Sequence, residues 1–171
     1  MPKQTLYLLI GYPGAGKTTV AQAISQETGA KHLWADHERQ QMFGKPQHTL
    51  DESIALYNHL NKITRKLLSE GKSVIFDTNF NFFNDRENLR QIAASENVET
   101  IIIWVTTPRS TAEARAVTIP DNTHNRILGS MTKQEFDTIA DKLEIPDKDE
   151  KVIKIDGTKL DQDELMRHLN M

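Results

Sequence analysis

The sequence predicts an α/β fold in which a parallel sheet is covered by helices on both faces. Short apolar runs alternate with longer amphipathic segments along the 171 residues, a pattern typical of strands that are connected by helices. The runs at 6–10, 74–76 and 101–105 are continuously apolar, as expected when both faces of a strand are buried. Residues 152–155 predict a fourth strand, and residues 32–35 a weaker fifth.

A helix is predicted between the strand at 32–35 and the strand at 74–76. Leu56, Leu60, Ile63 and Leu67 recur at offsets of four, three and four before Gly71. Such spacing places the four side chains on one face of a helix. We therefore expect this face to be buried against the sheet.

Capping patterns predict two further helix starts. Ser110 and Glu113 have the spacing of a capping box, in which each residue bonds to the other's backbone N–H. Thr132 and Glu135 repeat this spacing. A short final helix is predicted after Gly157.

The composition predicts one domain over residues 1–171 without a membrane-spanning segment. Cysteine is absent, which rules out disulfides and fits a reducing compartment, so we expect a cytoplasmic protein. The formal net charge is −3, from 21 basic and 24 acidic residues. Long nucleic acids that bind mainly through their phosphates are disfavoured by this balance, whereas a strand end held in a pocket is not. No obligate protein partner is evident.

The segment GYPGAGKTT at residues 11–19 follows the first strand directly. It fills the pattern GxxxxGK[ST] between a strand and a helix, whose backbone N–H groups and lysine surround a triphosphate. An ordinary glycine turn is the alternative. We predict binding of a nucleoside triphosphate with Mg²⁺, the metal being held partly by the hydroxyl of Thr18. The predicted nucleotide-binding residues are Gly11, Pro13, Gly14, Ala15, Gly16, Lys17, Thr18 and Thr19.

The segment VIFDTN at residues 74–79 ends an apolar strand in an acid, Asp77. A carboxylate there can hold Mg²⁺ directly or through water. Alternatively, Asp77 caps the next helix, although Asn79 could serve as that cap instead.

Asp36 and Arg39 follow the weaker strand in the segment WADHER. If a helix begins there, their spacing of three places both on one face. An acid can orient and deprotonate a hydroxyl, and an arginine can grip an anionic acceptor. A helix cap with a surface salt bridge is the alternative.

Taken together, these segments resemble the P-loop kinases related to polynucleotide 5′-hydroxyl kinases and zeta toxins, often described as AAA-type kinases. The resemblance spans roughly residues 5–130 and rests on GYPGAGKTT, DHER at 36–39 and FDTN at 76–79. It continues through WVTTP at 104–108. It implies a three-layer αβα P-loop NTPase fold with a five-stranded parallel sheet of order 2-3-1-4-5.

The resemblance also implies roles for individual residues. Asp36 would be the general base, and Arg39 would contact a phosphate of the acceptor. Asp77 would lie on the metal side, and Asn79 and Arg86 on the substrate side.

A lid is expected around residues 107–130, with Arg115 as its arginine. Such lids usually carry a second arginine a few residues later, but Arg115 is followed by AVTIPDNT. Arg126 is therefore the candidate for this second contact with the nucleotide. Arg109 is a further candidate, and solvent-facing helix arginines are the alternative for each of them.

The predicted function is transfer of the γ-phosphoryl group of ATP to a hydroxyl of a small molecule or of a nucleic acid 5′ end. Lys17, Asp36, Arg39 and Arg115 are the predicted catalytic residues. A nucleotide-binding ATPase or regulatory module without a phosphorylated acceptor remains the alternative.

Overall fold

Five parallel strands form one sheet in the computed structural model, which describes residues 3–79, 82–118 and 131–169. The strands are β1 (Thr5–Ile10), β2 (Lys31–Trp34), β3 (Val74–Asp77), β4 (Glu99–Val105) and β5 (Val152–Ile155). They lie in the order β2-β3-β1-β4-β5, and all neighbouring pairs are parallel. This confirms the predicted α/β fold and the strand order that the resemblance implies.

Helices cover both faces of the sheet. They are α1 (Lys17–Thr28), α2 (Ala35–Phe43), α3 (Leu50–Ser69), α4 (Phe83–Ser95), α5 (Arg109–Glu113), α6 (Lys133–Ala140) and α7 (Gln162–His168). A π-helical turn, Ala114–Thr118, continues directly from α5. The helix predicted after Gly157 is α7.

The central strand β1 supplies both halves of the core. Leu6 and Leu8 belong to a cluster with buried side chains of α3 and α4, whereas Tyr7 and Leu9 belong to a second cluster with buried side chains of α1. Successive side chains of a strand point to opposite faces, so a strand covered on both faces is apolar throughout. All six residues of β1 are buried.

The buried face of α3 is wider than the predicted one. Leu56 and Leu60 are buried as expected, but the stripe continues through Thr64 and Leu68 and begins at Glu52. Polar groups can lie in this stripe because they are satisfied locally: the Thr64 hydroxyl donates to the Leu60 carbonyl at 2.8 Å. Ile63 and Leu67 are partly buried and pack against the same core cluster as Leu56 and Leu60. The predicted face is therefore buried, and Glu52, Thr64 and Leu68 extend it.

One of the two predicted capping boxes is present. The Thr132 hydroxyl accepts from the backbone N–H of Glu135, and the Glu135 side chain accepts from that of Thr132. The capping box predicted at Ser110 is wrong. Helix α5 begins at Arg109 with Pro108 as its N-cap residue, so Ser110 lies inside the helix rather than at its cap.

A buried ion pair attaches α4 to the segment before β5. The side chains of Arg86 and Glu150 are 0% and 3% exposed, with Nε and Oε2 3.2 Å apart. Arg86 Nη1 also donates to the Glu144 carbonyl at 3.0 Å, and Arg90 reaches Glu150 at 3.2 Å. These contacts join residues about sixty positions apart in the sequence.

We predict that Arg86→Met lowers the free energy of unfolding by about 3–5 kcal/mol, since a buried carboxylate loses its closest partner. Urea unfolding monitored by circular dichroism measures this loss. Arg65→Met changes an exposed arginine on α3 and is the matched control, with an expected change within about 0.5 kcal/mol. Equal losses in the two variants would contradict the role assigned to Arg86.

Candidate nucleotide and acceptor site

The glycine-rich loop connects β1 to α1 at the carboxyl end of the sheet. Gly14 and Gly16 have φ angles of +80° and +105°, a region that residues with a Cβ rarely adopt. A Cβ at Gly14 would also overlap the carbonyl oxygen of Ala112 in α5. The loop conformation therefore depends on glycine at both positions.

The amino-terminal end of α1 faces out of this loop. Its N-cap residue is Gly16, and among the described residues no side chain caps the helix and no acid lies in its first turn. The first N–H groups of a helix lack intrahelical acceptors and carry partial positive charge. This end of α1 is therefore suited to an anion.

Lys17 is the first residue of α1 and is 6% exposed. Its Nζ donates to the carbonyl oxygens of Gly11 and Tyr12, at 2.9 Å each. These bonds hold the ammonium group against the loop. Of the other predicted loop residues, Pro13 and Ala15 are buried, and Thr19 is half-buried in the first turn of α1.

Thr18 and Asp77 meet where α1 begins and β3 ends. Thr18 Oγ1 donates to Asp77 Oδ2 at 2.9 Å, and the Asp77 residue is 3% exposed. Asp77 is not a helix cap, because α4 begins only after Phe82. The structure thus brings together the two oxygens that the sequence assigned to a metal.

His32 is a third member of this group, and sequence reasoning missed it. Its Nε2 lies 2.8 Å from Asp77 Oδ2, and its ring stacks on Trp34 with centroids 5.8 Å apart. His37 in α2 stacks on the same Trp34 ring, with centroids 6.3 Å apart. The sequence pattern of β2 could have indicated this contact. His32 and Trp34 lie on the same face of the strand, and Trp34 is the register partner of Asp77, so His32 lies on the same side of the sheet as Asp77.

Asp36 and Arg39 both lie on α2 but have different surroundings. Asp36 is half-buried in the first turn. Arg39 is 8% exposed, and its Nη1 donates to Glu52 Oε1 of α3 at 2.6 Å. Its Nη2 donates to Ser53 Oγ at 3.2 Å. The guanidinium is thus held by α3, and Glu52 is a partner that the sequence did not reveal.

Glu52 is held in its ionised form by several donors. Burial opposes ionisation, but the backbone N–H of Gln47, at 2.8 Å, and the Arg39 guanidinium outweigh it and lower the pKa of the carboxyl. The backbone N–H of His48 also donates to it, at 3.3 Å. The pair therefore ties α2, the connection that follows it and α3 together.

Two hydroxyl groups lie beside this ion pair. Tyr57 of α3 faces Arg39, Thr78 and Asp36, and burial raises the pKa of its phenol despite the opposing effect of Arg39. Thr78 follows Asp77 and is 3% exposed. Its Oγ1 is buried and lies beside the Tyr57 phenol, a contact that partly offsets the rise in the pKa of the tyrosine. The geometry of this contact falls short of a well-formed hydrogen bond, so the Thr78 hydroxyl can still bond to a polar ligand group.

The two residues predicted on the substrate side are placed differently. Asn79 lies in the bend after β3, two residues beyond Asp77. Arg86 is fully buried in its pair with Glu150 and contacts the carbonyl oxygen of Glu144. In this arrangement the Arg86 guanidinium anchors α4 rather than facing the loop.

Arg115 lies on the π-helical turn and contacts the glycine-rich loop. Its Nη1 donates to the Gly157 carbonyl at 3.0 Å and lies 3.4 Å from that of Gly14. Arg109 pairs with Asp137 and Asp141 of the α6 region, and its guanidinium lies over the ring of the loop residue Tyr12, 5.9 Å from the centroid. The rest of the predicted lid, including Arg126, lies outside the described residues.

A family model agrees with this combination of sheet order, loop and paired oxygens. The AAA domain model matches residues 6–144. The chain belongs to the AAA domain family. The matched residues of this AAA domain run from β1 through α6 and include the loop, Asp36, Asp77 and Arg115. No curated protein matches the sequence.

Solved kinase structures share the fold of this AAA domain. A sugar kinase from a Janibacter species is 18% identical with a TM-score of 0.70, covering 98% of this chain and 92% of that one. A gluconokinase from Sinorhizobium meliloti is 19% identical with a TM-score of 0.64, covering 98% and 89%. An APS kinase from Mycobacterium tuberculosis, in complex with AMPPNP and APS, is 15% identical with a TM-score of 0.68, covering 99% and 98%. At these identities the likeness establishes a P-loop kinase-like fold.

The described helices of this AAA domain include none that is long and apolar enough to cross a bilayer.

We predict that Gly14→Ala destabilises the AAA domain and disrupts its loop. Alanine is strained at the φ of +80°, and its Cβ would overlap the carbonyl oxygen of Ala112 in α5. Gly44→Ala separates these effects, since Gly44 has a φ of +66° but no described atom within 4 Å of its added Cβ. Gly14→Ala should cost at least about 1 kcal/mol more in urea unfolding. Equal costs would mean that the contact with α5 is unimportant.

Proposed function

We propose that this AAA domain is an ATP-dependent phosphotransferase that moves the γ-phosphoryl group of ATP to an acceptor hydroxyl. The contact between Thr18 and Asp77 at 2.9 Å, at the open end of α1, is the observation that carries this proposal. It places two oxygen ligands beside a group of backbone donors, a combination that suits a metal-bound triphosphate.

The nucleotide residues are those of the glycine-rich loop. The N–H groups at the start of α1 bind the phosphates, and Lys17 leaves the carbonyls of Gly11 and Tyr12 to reach the β- and γ-phosphates. Arg115 is already within reach of the loop and adds positive charge beside the transferring group. Arginines in this position stabilise the charge on the phosphoryl group in the transition state of its transfer. Arg126 is proposed as a second lid contact.

Thr18 and Asp77 are proposed to hold Mg²⁺. The described residues contain no group of three or more His, Asp or Glu side chains that could hold a metal by themselves, and Mg²⁺ characteristically combines one or two protein ligands with phosphate oxygens and waters. When bound, the ion neutralises charge on the β- and γ-phosphates. His32 supports the site by fixing the orientation of the Asp77 carboxylate.

Asp36 is proposed as the general base. It orients the acceptor hydroxyl, whose oxygen attacks the γ-phosphorus while the bond to the β–γ bridging oxygen breaks and ADP leaves. The acceptor's proton passes to the Asp36 carboxylate. Because the transition state is loose, alignment and charge neutralisation carry most of the catalysis.

The acceptor is proposed to be a small molecule or a nucleic acid 5′ end. The resemblance to polynucleotide kinases and zeta toxins supports the second, through DHER at 36–39 and FDTN at 76–79. The fold shared with a sugar kinase and a gluconokinase supports the first. Arg39 and Asn79 are the substrate-side residues of this proposal, and Arg39 is bound to Glu52 before an acceptor arrives. Arg86, which the resemblance also assigned to this side, is proposed to support the site indirectly by anchoring α4.

We predict that the protein binds ATP with Mg²⁺ in calorimetry and that Lys17→Ala weakens transfer of ³²P from labelled ATP by about 100-fold or more. The Lys17 ammonium donates to the carbonyl oxygens of Gly11 and Tyr12 and fills no position in the apolar core, so the variant should remain folded by circular dichroism. Lys62→Ala, at an exposed lysine of α3, is the control. Absence of ATP binding by the folded wild type would refute the proposed function.

We predict that Asp36→Asn lowers kcat by about 10²–10⁴-fold and leaves the Kd for ATP unchanged, because the base acts on the acceptor. Calorimetry and steady-state kinetics measure the two constants separately. If ATP affinity falls and kcat does not, Asp36 belongs to the nucleotide site instead.

A further inference from the structure

We infer that the acceptor of this AAA domain is an uncharged polyhydroxy compound, rather than one that carries a phosphate or a carboxylate beside the reacting hydroxyl. This inference rests on the proposed phosphotransferase function. It concerns the charge of the acceptor side of the site, the region around Asp36 on α2, Tyr57 on α3 and Thr78 after β3.

The arginine nearest to this region is already neutralised. Arg39 and Glu52 are 8% and 8% exposed, with Nη1 and Oε1 2.6 Å apart. The second guanidinium nitrogen is bound to Ser53. An anionic acceptor would have to compete with a carboxylate that is built into α3 and held by two further backbone N–H groups.

The second arginine expected on the substrate side is neutralised in the same way. Arg86 is fully buried and pairs with Glu150, which also accepts from Arg90. Its remaining contacts include the carbonyl oxygens of Glu144 and Ile145. The guanidinium therefore serves the packing of α4, and an acceptor phosphate would have to break this packing to reach it.

The groups that do face the acceptor region are hydroxyls and acids. Tyr57 lies near Asp36 and Asp85, and burial keeps its phenol protonated and able to donate by raising its pKa. The buried hydroxyl of Thr78 lies beside this phenol, in a contact that falls short of a well-formed hydrogen bond. Hydroxyls of an acceptor can bond to both groups, since a hydroxyl donates and accepts.

Acidic side chains make the same region unfavourable for anions. Asp36 in the first turn of α2 and Asp85 in the first turn of α4 both lie close enough to Tyr57 for their charges to add to the effect of burial and raise the pKa of its phenol, and Asp77 directly precedes Thr78. Burial, and then the charge of Glu144, raise the pKa of Asp85, which indicates that a further negative charge is disfavoured there. A neutral polyol gains hydrogen bonds in this setting and adds no charge.

The test compares pairs of acceptors in which one member carries an anionic group and the other is neutral. The pairs are glucitol with gluconate and adenosine with adenosine 3′-monophosphate, each assayed with ATP and Mg²⁺ by release of ADP and by ³²P transfer. The neutral member of a pair should have a kcat/KM at least about tenfold higher than the anionic one.

Glu52→Gln should release the charge of Arg39 and shift the ratio of the two kcat/KM values toward the anionic member by about tenfold. Asp51→Asn removes one charge from the neighbouring, exposed position of α3. It should leave the ratio unchanged, because Glu52 still neutralises Arg39. Circular dichroism establishes that each variant is folded. The wild-type comparison remains decisive if Glu52→Gln fails to fold.

Equal or better use of the anionic member by the wild type overturns the inference, as does an unchanged ratio in folded Glu52→Gln. Lack of transfer to every neutral compound also overturns it. ATP binding is measured by calorimetry in the same samples, so failure of the acceptor inference is distinguished from failure of the proposed function, in which ATP does not bind.

Discussion

The parallel pairing of β1 with β3 is the constraint on which the site depends. In this register Asp77 lies beside Leu9, one residue before β1 ends, so its carboxylate reaches the first turn of α1. The Thr18 hydroxyl then meets it at 2.9 Å. A slip of one residue would turn Asp77 to the opposite face of the sheet, toward the cluster of α3 and α4 and away from α1.

Polar groups around this point are stabilised by pairing rather than by solvent. Lys17 is held by carbonyl oxygens of the loop, Asp77 by Thr18 and His32, and Arg39 by Glu52. Buried charges are costly without such partners. The pairing leaves backbone donors around the glycine-rich loop, and acids and hydroxyls in the region of Asp36, Tyr57 and Thr78. The proposed nucleotide and acceptor sides therefore differ in charge.

The fold and the nucleotide side were predictable from sequence because their signals are local. Continuous apolar runs predicted the strands, and the spacing within residues 11–18 predicted the loop. The pairings of Arg39 and Arg86 were not predictable, since their carboxylate partners lie 13 and 64 positions away. The same holds for His32, whose contact with Asp77 depends on the register of β2. The capping box predicted at Ser110 was also a local pattern, but it was wrong because the helix begins directly after Pro108.

Strand β2 lies at the rim of the described sheet and pairs with β3 alone, whereas β1 is flanked by β3 and β4. Insertions or substitutions in β2 and α2 therefore disturb few hydrogen bonds of the sheet. A change in β1 affects its pairing with both β3 and β4. Under the proposed function, exchanges in α2 would change the acceptor side of the site while the glycine-rich loop stays in place. Divergence among proteins of this architecture should accordingly be concentrated at that rim, and new specificities should arise there at little cost in stability.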